Sequence, residues 1–393
     1  GAFGKKMPDE GRVAFISQSG ALCASVLDYA EERGIGFSKF VSFGNKADIS
    51  EVELLSYAAK DEKTSVIAMY LEDVTDGRRF VETAREIFWE TGKPMLCLKS
   101  GRSAEGARAV SSHTGSLAGS DSVYDALLIQ SGVQRVDTIA ELFDCALLYA
   151  TQPMPKGNRI AIITNAGGPG IMTTDAAVRY GLKLAEISEE TRTKLKASLP
   201  AAASLRNSVD VIGDARADRY EAAVRTVMND PGVDMGIVIL TPQSMTEPRE
   251  TAMVIPDAIR GIGKPVVCSF MGARDVAPGV QYLREHDVPN YHLPEDGVKA
   301  LADSIRMATL REIPRREMPR HNGLKIDRAK EVIAGYLDGH KQRYLTQAEC
   351  REVFACYGLP LLRSGTAHSA DEAAKIAKSI ERPVVMKVMS ADV

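Results

Sequence analysis

No CxxC or similar pairing links the six cysteines of this 393-residue chain, Cys23, Cys97, Cys145, Cys268, Cys350 and Cys356. Scattered, and mostly inside apolar runs such as MLCLK and PVVCSF, they read as buried free thiols of a reducing compartment, and their spacing argues against a zinc site. No segment approaches the ~20 apolar residues that would cross a bilayer. No signal peptide opens the chain, so a cytoplasmic location without a membrane partner is expected. Charge of one sign is missing too: 49 Lys and Arg against 52 Asp and Glu leave a formal charge of −3. That balance offers no field for nucleic acid. A full GxGxxG followed ~20 residues later by an acid is absent, which removes the standard dinucleotide fingerprint. The chain starts GAFGKKMPDEG without an initiating methionine and is expected to be a fragment of a longer protein.

What is present is enough apolar content, 45% hydrophobic against 26% charged, for two or three globular domains. The strongest organising signal is an internal repeat. GRVAFISQSG (11–20) resembles NRIAIITNAGG (158–168): a basic residue, a strand-like apolar run, a hydroxyl residue, and a glycine turn opening a helix. Each copy continues with buried-strand runs, VIAMYL (66–71) and MGIVIL (235–240), and ends on a Lys-Pro strand, KPMLCLKSG from Lys93 and KPVVCSFMG from Lys264. Alternation of this kind predicts crossover units in parallel sheets with helices on both faces. The boundaries read as a first module over 1–150, a second over 151–310, a linker over 311–344 rich in Pro and Arg, and the start of a third domain over 345–393. Thr138-x-x-Glu141, Thr346-x-x-Glu349 and Ser369-x-x-Glu372 have capping-box spacing, and RPVVMKV from Arg382 reads as a buried strand.

The two glycine turns, Ser17-Gln18-Ser19-Gly20 and Asn165-Ala166-Gly167-Gly168, point the first backbone N–H groups of a helix outward beside its partial positive charge, a ready phosphate site. One such turn is ordinary packing chemistry; two at matching places of a repeat suggest convergence on one anion. The stretch SSHTGSLAG (111–119) places His113 on a loop between the Lys93 strand and a helix near Asp121, at the edge where parallel sheets bind ligands. A solvated loop histidine has the same composition. A nucleophilic imidazole needs an orienting acceptor, and Glu72, which follows VIAMYL, is the candidate; an exposed strand-end carboxylate is the plain alternative. His286, His292, His321, His340 and His368 join no ligand cluster, and no metal site is expected.

GRVAFISQSGAL, LEDV, KSGRSAEGARAVSSHTGSLAGSD and IITNAGGPGIM resemble the ADP-forming (NDP-forming) acyl-CoA synthetases, relatives of succinyl-CoA synthetase, over nearly the whole chain. The resemblance implies an α/β protein of two tandem flavodoxin-like doubly wound parallel-sheet domains plus the start of an ATP-grasp domain, without the CoA-binding domain that precedes them in the family. It implies an acid–CoA ligase that runs reversibly from acyl-CoA, phosphate and ADP to acid, CoA and ATP through an acyl phosphate and a phosphohistidine. His113 falls on the phosphorylated position and Glu72 on the carboxylate that holds its ring. Ser17 to Gly20 and Asn165 to Gly168 fall on the two helix ends that cradle the phosphoryl group, and Lys387 on a nucleotide-binding lysine. ATP or ADP, Mg²⁺ and CoA are implied for the complete enzyme, with phosphate or sulfate the ligand suited to this stretch, which alone is expected to be inactive. Small-molecule substrates and a homo-oligomer are implied likewise. Two other readings stand beside this one: a regulatory core fused to an acetyltransferase that senses acyl-CoA, and a plain anion-binding scaffold. The acyl group is not readable; SFGNKAD (42–48) suits an acid or phosphate site and a polar turn equally.

Overall fold

The computed structural model describes residues 9–44, 46, 48–103, 105–106, 108, 120–312, 321–337 and 345–388. The chain divides between Arg315 and Arg316 into two compact units.

The first unit opens with β1 (Glu10–Ser17), α1 (Gly20–Arg33), β2 (Phe37–Ser42), α2 (Glu51–Lys60), β3 (Val66–Leu71), α3 (Gly77–Thr91), β4 (Met95–Lys99), α4 (Asp121–Ser131), β5 (Gln134–Val136) and α5 (Ile139–Thr151). The strands form one parallel sheet in the order β2-β1-β3-β4-β5. Helices cover both faces of such a sheet, so its strands bury both sets of side chains; hence the uninterrupted apolar runs VIAMYL and MLCLK. Local chemistry sets the helix ends. Ser19 caps α1, a complete Ser50/Glu53 capping box starts α2, and Gly34 and Gly92 close α1 and α3 in the left-handed region.

The same plan recurs in β6 (Arg159–Thr164), α6 (Gly167–Arg179), β7 (Lys183–Leu184), α7 (Glu189–Ser198), β8 (Val209–Asp210), α8 (Ala217–Met228), β9 (Met235–Leu240), α9 (Pro248–Ile259), β10 (Val266–Phe270), α10 (Ala277–Glu285) and α11 (Pro294–Glu312). The sheet order is β10-β9-β6-β7, with β8 also paired to β6. β6, β9 and β10 therefore repeat β1, β3 and β4, and a parallel bridge from Cys268 to Asn290 stands where β5 does in the first sheet. The counterpart of β2 is split: β7 pairs the start of β6 and β8 its end. Between them the Asn207 carboxamide replaces the missing backbone, accepting from Ile162 N–H at 2.9 Å and donating to the Ile160 and Ala185 carbonyls at 2.7 and 3.0 Å.

The last helices of the two repeats, α5 and α11, pack on one another, and one apolar core runs through the seam. Polar groups pin it: Tyr291 Oη donates to the Asp144 carbonyl at 2.8 Å, and Lys299 Nζ lies 2.9 Å from carboxylate oxygens of both Glu141 and Asp303.

The second unit holds α12 (Ile326–Leu337), α13 (Gln347–Cys356) and α14 (Ala370–Ile380). Several expectations are corrected. The interval read as linker contains α12, whose apolar residues Ala329, Ile333 and Leu337 are interleaved with charges that masked the period. The stretch from Arg382 is not a buried strand: residues 383–388 are irregular, with Val385, Met386 and Val388 79–85% exposed, because no described residue pairs with their backbone. Thr346 and Glu349 make the full capping box. Thr138 and Ser369 cap their helices, but Glu141 and Glu372 reach back to the N–H of Asp137 and His368, one residue beyond the box position. Cys350 is half-buried, whereas the other five thiols are buried. Among the described residues no helix is long and apolar enough to cross a membrane.

Candidate active site

The two glycine turns are built from the same bonds. Ser17 Oγ accepts from Ser19 N–H at 3.1 Å and donates to the Ser19 carbonyl at 2.9 Å; Thr164 Oγ1 makes the same pair with Ala166, at 3.1 and 2.9 Å. Each strand-end hydroxyl thus folds the chain back on itself and turns it into a helix. The side chains of Ser17, Gln18 and Asn165 are buried, so they face inward. What each turn offers an anion is backbone: Gly20 and Ala21 open α1, and Gly167 and Gly168 open α6, all at exposed positions. These are first-turn N–H groups that have no partner within their helix. A Cβ on Gly167 or Gly168 would meet nothing within 4 Å.

The second residue of each turn reaches the neighbouring strand. Asn165 accepts from Thr241 N–H at 2.8 Å and donates to the Thr241 carbonyl at 2.9 Å. Gln18 Oε1 accepts from Glu72 N–H at 2.8 Å and Asp73 N–H at 3.2 Å, and its Nε2 donates to Asp73 Oδ1 at 2.8 Å. Glu72 follows β3 and Thr241 follows β9, so they are counterparts, and only the first sheet carries an acid there. Glu72 is 8% exposed.

His113 lies outside the described residues, as do Ser111, Ser112 and Thr114. In the chain it falls between β4 and α4. β4 pairs with β3 in register Leu71↔Lys99, and Ser100 N–H donates to the Leu71 carbonyl at 3.0 Å. Glu72 and the start of the histidine segment therefore depart from adjacent strands at one edge, beside the Ser17–Gly20 turn, where open α/β sheets place their ligands. Lys387 is exposed, in the second unit.

Four residues near this edge, Lys46, Glu51, Asp73 and Lys99, escaped the sequence reading. Lys46 Nζ donates to the Asp73 carbonyl at 2.8 Å and forms ion pairs with Asp73 Oδ1 at 2.6 Å and Glu51 Oε2 at 2.9 Å, with its side chain 5% exposed and that of Glu51 fully buried. Glu51 Oε1 accepts from Thr75 N–H at 3.3 Å. Lys99, buried at the end of β4, has its ammonium 4.2 Å from the centre of the Tyr124 ring, and burial pushes its pKa down. The signals were available in SFGNKAD, LEDV and LKSG, but a lysine in a polar turn reads as solvated. Elsewhere, a cavity of about 320 Å³ lies at the opposite edge of the first sheet, where Arg12, Arg33, Arg284, Asp9 and Asp287 line it. Arg12 is paired with Asp287 and Arg33 with Asp144, and none of the described candidate residues lines it. Among the described residues, no group of three His, Cys, Asp or Glu side chains is arranged to hold a metal.

Comparison with known proteins supplies the context. Residues 10–149 match the succinyl-CoA ligase like flavodoxin domain, 160–310 the ligase-CoA domain and 337–393 an ATP-grasp domain. The chain is 40% identical over 392 residues to a 4-hydroxybutyrate–CoA ligase [ADP-forming] of Nitrosopumilus maritimus, covering 100% of this chain and 56% of that protein. It is 39% identical over 391 residues to acetate–CoA ligase [ADP-forming] I of Archaeoglobus fulgidus, covering 100% and 55%. The chain thus spans a little over half the length of these relatives. Among solved structures, the dinucleotide-forming acetyl-coenzyme A synthetase 1 of Ca. Korarchaeum cryptofilum, in complex with phosphate and ADP, superposes with a TM-score of 0.74 at 35% identity, over 80% of this chain and 69% of that one.

Proposed function

The chain belongs to the ADP-forming acyl-CoA synthetases, and we propose that it carries the phosphoryl relay of a reversible acid–CoA ligase, with His113 the carrier and Glu72 its orienting acid. The modules in this reading are 1–150 and 151–310, with a connecting stretch over 311–344 and the ATP-grasp beginning from 345. The observation that carries the reading is the asymmetry of the repeat. Two copies of one turn exist, and only the copy in the first sheet, whose β4 precedes residue 113 in the chain, has a buried carboxylate at the neighbouring strand end, with its backbone held by Gln18.

In the proposed cycle a phosphate oxygen attacks the thioester carbonyl of acyl-CoA. The C–O bond forms, the C–S bond breaks, and CoA leaves as a thiolate that takes up a proton. An imidazole nitrogen of His113 then attacks phosphorus, and the acid leaves as its carboxylate. Finally a β-phosphate oxygen of ADP attacks the phosphoramidate, breaking the P–N bond and returning neutral histidine. Glu72 accepts the N–H of the nitrogen that does not react, fixing the tautomer and stabilising the cationic ring, the role an aspartate plays in a serine protease triad. The first-turn N–H groups of α1 and α6 face the phosphoryl oxygens. Each helix end carries about half a positive charge, worth roughly 0.3–2 kcal/mol depending on burial.

The nucleotide, its Mg²⁺ and CoA belong to the complete protein. Lys387 is the one nucleotide contact proposed on this stretch. Cytoplasmic location and a homo-oligomer complete the reading, without nucleic acid or a membrane as partner. The names of the relatives include acetate, 4-hydroxybutyrate and trans-ferulate; CoA release from acetyl-, 4-hydroxybutyryl- and aryl acyl-CoAs, compared on the complete protein, identifies the acyl group.

The test of the relay is chemical. Incubated with labelled ATP and Mg²⁺, the complete protein is expected to take up a phosphate that is stable in base and lost in acid, as a phosphoramidate is. His113→Ala is expected to lose both label and turnover. A label that survives acid, or near-normal turnover in His113→Ala, rules the relay out.

A further inference from the structure

We infer that Gln18 and Lys46 are positioning residues for Glu72, an inference that rests on the phosphohistidine reading and deepens it. Glu72 sits one residue beyond the end of β3, so its N–H has left the regular ladder. Gln18 takes that N–H and the next one on a single carboxamide oxygen, and returns its own N–H to the Asp73 carboxylate. Lys46 then holds Asp73 twice, by an ion pair with its carboxylate and a hydrogen bond to its carbonyl, and forms a second ion pair with Glu51. Glu51 in turn holds Thr75 N–H. The turn is thus bonded at residues 72, 73 and 75 by groups from three elements: the β1–α1 turn, the loop after β2 and the first residue of α2. A carboxylate that must meet an imidazole at a defined angle needs a backbone that does not rock, because small misplacements of an orienting group cost large factors in rate.

The second sheet shows what the fold needs without that task. Asn165 holds Thr241 through two bonds, and among the described residues no lysine or buried acid joins them. The additional apparatus accompanies the acid, which argues that it serves the acid and not the turn.

A double-mutant cycle on the complete protein tests this. Its readout is the rate of base-stable, acid-labile labelling from ATP, with the KM for ATP and a thermal melt measured alongside. Gln18→Ala is expected to slow labelling about 10- to 100-fold with the KM for ATP within about twofold. In a Glu72→Gln background the same change is expected to add less than about threefold, because a residue acting only through Glu72 has nothing left to position. Gln18→Asn is the second arm. The fold already accepts asparagine at Asn165, and the shorter side chain holds Glu72 but cannot reach Asp73; an intermediate loss is expected, again absent without Glu72. Equal losses in both backgrounds overturn the inference and assign Gln18 to the phosphate or to the fold, as does wild-type labelling in Gln18→Ala. Failure of the wild-type protein to label overturns both readings, whereas labelling with an additive cycle overturns only this one.

Discussion

Glu72 and Thr241 occupy one place in two copies of a turn, and in the proposed relay the difference between them carries the chemistry at the residue scale. In that proposal an imidazole held by a carboxylate presents one nitrogen and keeps the proton on the other, whereas an amide in the same place can present either face. Glu72→Gln is therefore expected to leave the fold and phosphate affinity intact and to slow labelling of His113 by roughly 10² to 10⁴, measured by quenched-flow labelling on the complete protein. A loss below about threefold would make Glu72 a structural acid. Glu72 was legible because its neighbours are a buried strand and a turn, which fixes the sheet edge it reaches. Lys46 was not. Its burial depends on Asp73 and Glu51, the first of them 27 positions away, and nothing in SFGNKAD announces a long-range ion pair. The inward turn of Gln18 was hidden for the same reason: as sequence, a Gln in a glycine turn is indistinguishable from one facing a phosphate.

Elements meet closely at two places whose consequences are measurable. At the start of the first sheet, β1 and β2 cross with Gly11 against Gly36; a Cβ on Gly36 would lie 2.3 Å from the Glu10 carbonyl oxygen, and one on Gly11 2.3 Å from the Gly36 carbonyl carbon. Neither clash can be relieved by a rotamer, since both partners are backbone. Gly36→Ala is expected to destabilise by about 3 kcal/mol or more, read as a fall in denaturation midpoint; an unchanged midpoint would mean that the strands separate freely there. The second place is the seam of α5 with α11. Burial raises the Asp144 carboxyl to about 7 despite Arg33 at 2.8 Å, with Asp296 pushing the same way. Its unfolded value lies near 3.9, so between pH 4 and 7 the folded state binds the extra proton, and stability falls as pH rises through that window. Asp296 and Asp303, also raised by burial, add to the slope. The melting temperature is expected to be higher at pH 5.5 than at pH 7.5 by the equivalent of about 1–2 kcal/mol. Asp144→Asn is expected to reduce that difference, and an identical slope in the variant would clear Asp144 of it. The strands and helices of both repeats were readable from runs such as VIAMYL and MGIVIL. This seam was not, because Asp144 sits in an amphipathic helix whose buried face is set by a partner about 150 residues away.

At the scale of the whole molecule the two units differ in how they are held together. In the unit over 1–315, each sheet is covered by helices and the seam between the repeats is itself apolar core, which predicts that it folds without the rest of the chain. The unit over 316–393 is the opposite. α14 buries none of its residues although its sequence has a marked apolar side, Val385, Met386 and Val388 stand exposed, and among the described residues α12 and α13 bury little apolar surface beyond Ala329 and Cys356, with an exposed Arg328–Glu352 ion pair beside them. The apolar run RPVVMKV was legible as a strand, but a strand is held by neighbours, and those are missing from the described residues, which is why pattern and structure part here. Area buried decides folding in chains this short. The piece 1–315, expressed alone, is therefore expected to melt cooperatively with a helical circular dichroism spectrum. The piece 316–393 is expected to show at most the residual helicity of isolated peptides, without a cooperative transition. A sharp melt of the second piece would mean that its exposed apolar residues find partners within these 78 residues. Loss of the melt in the first would mean that the repeat pair leans on the remainder of the chain for its stability.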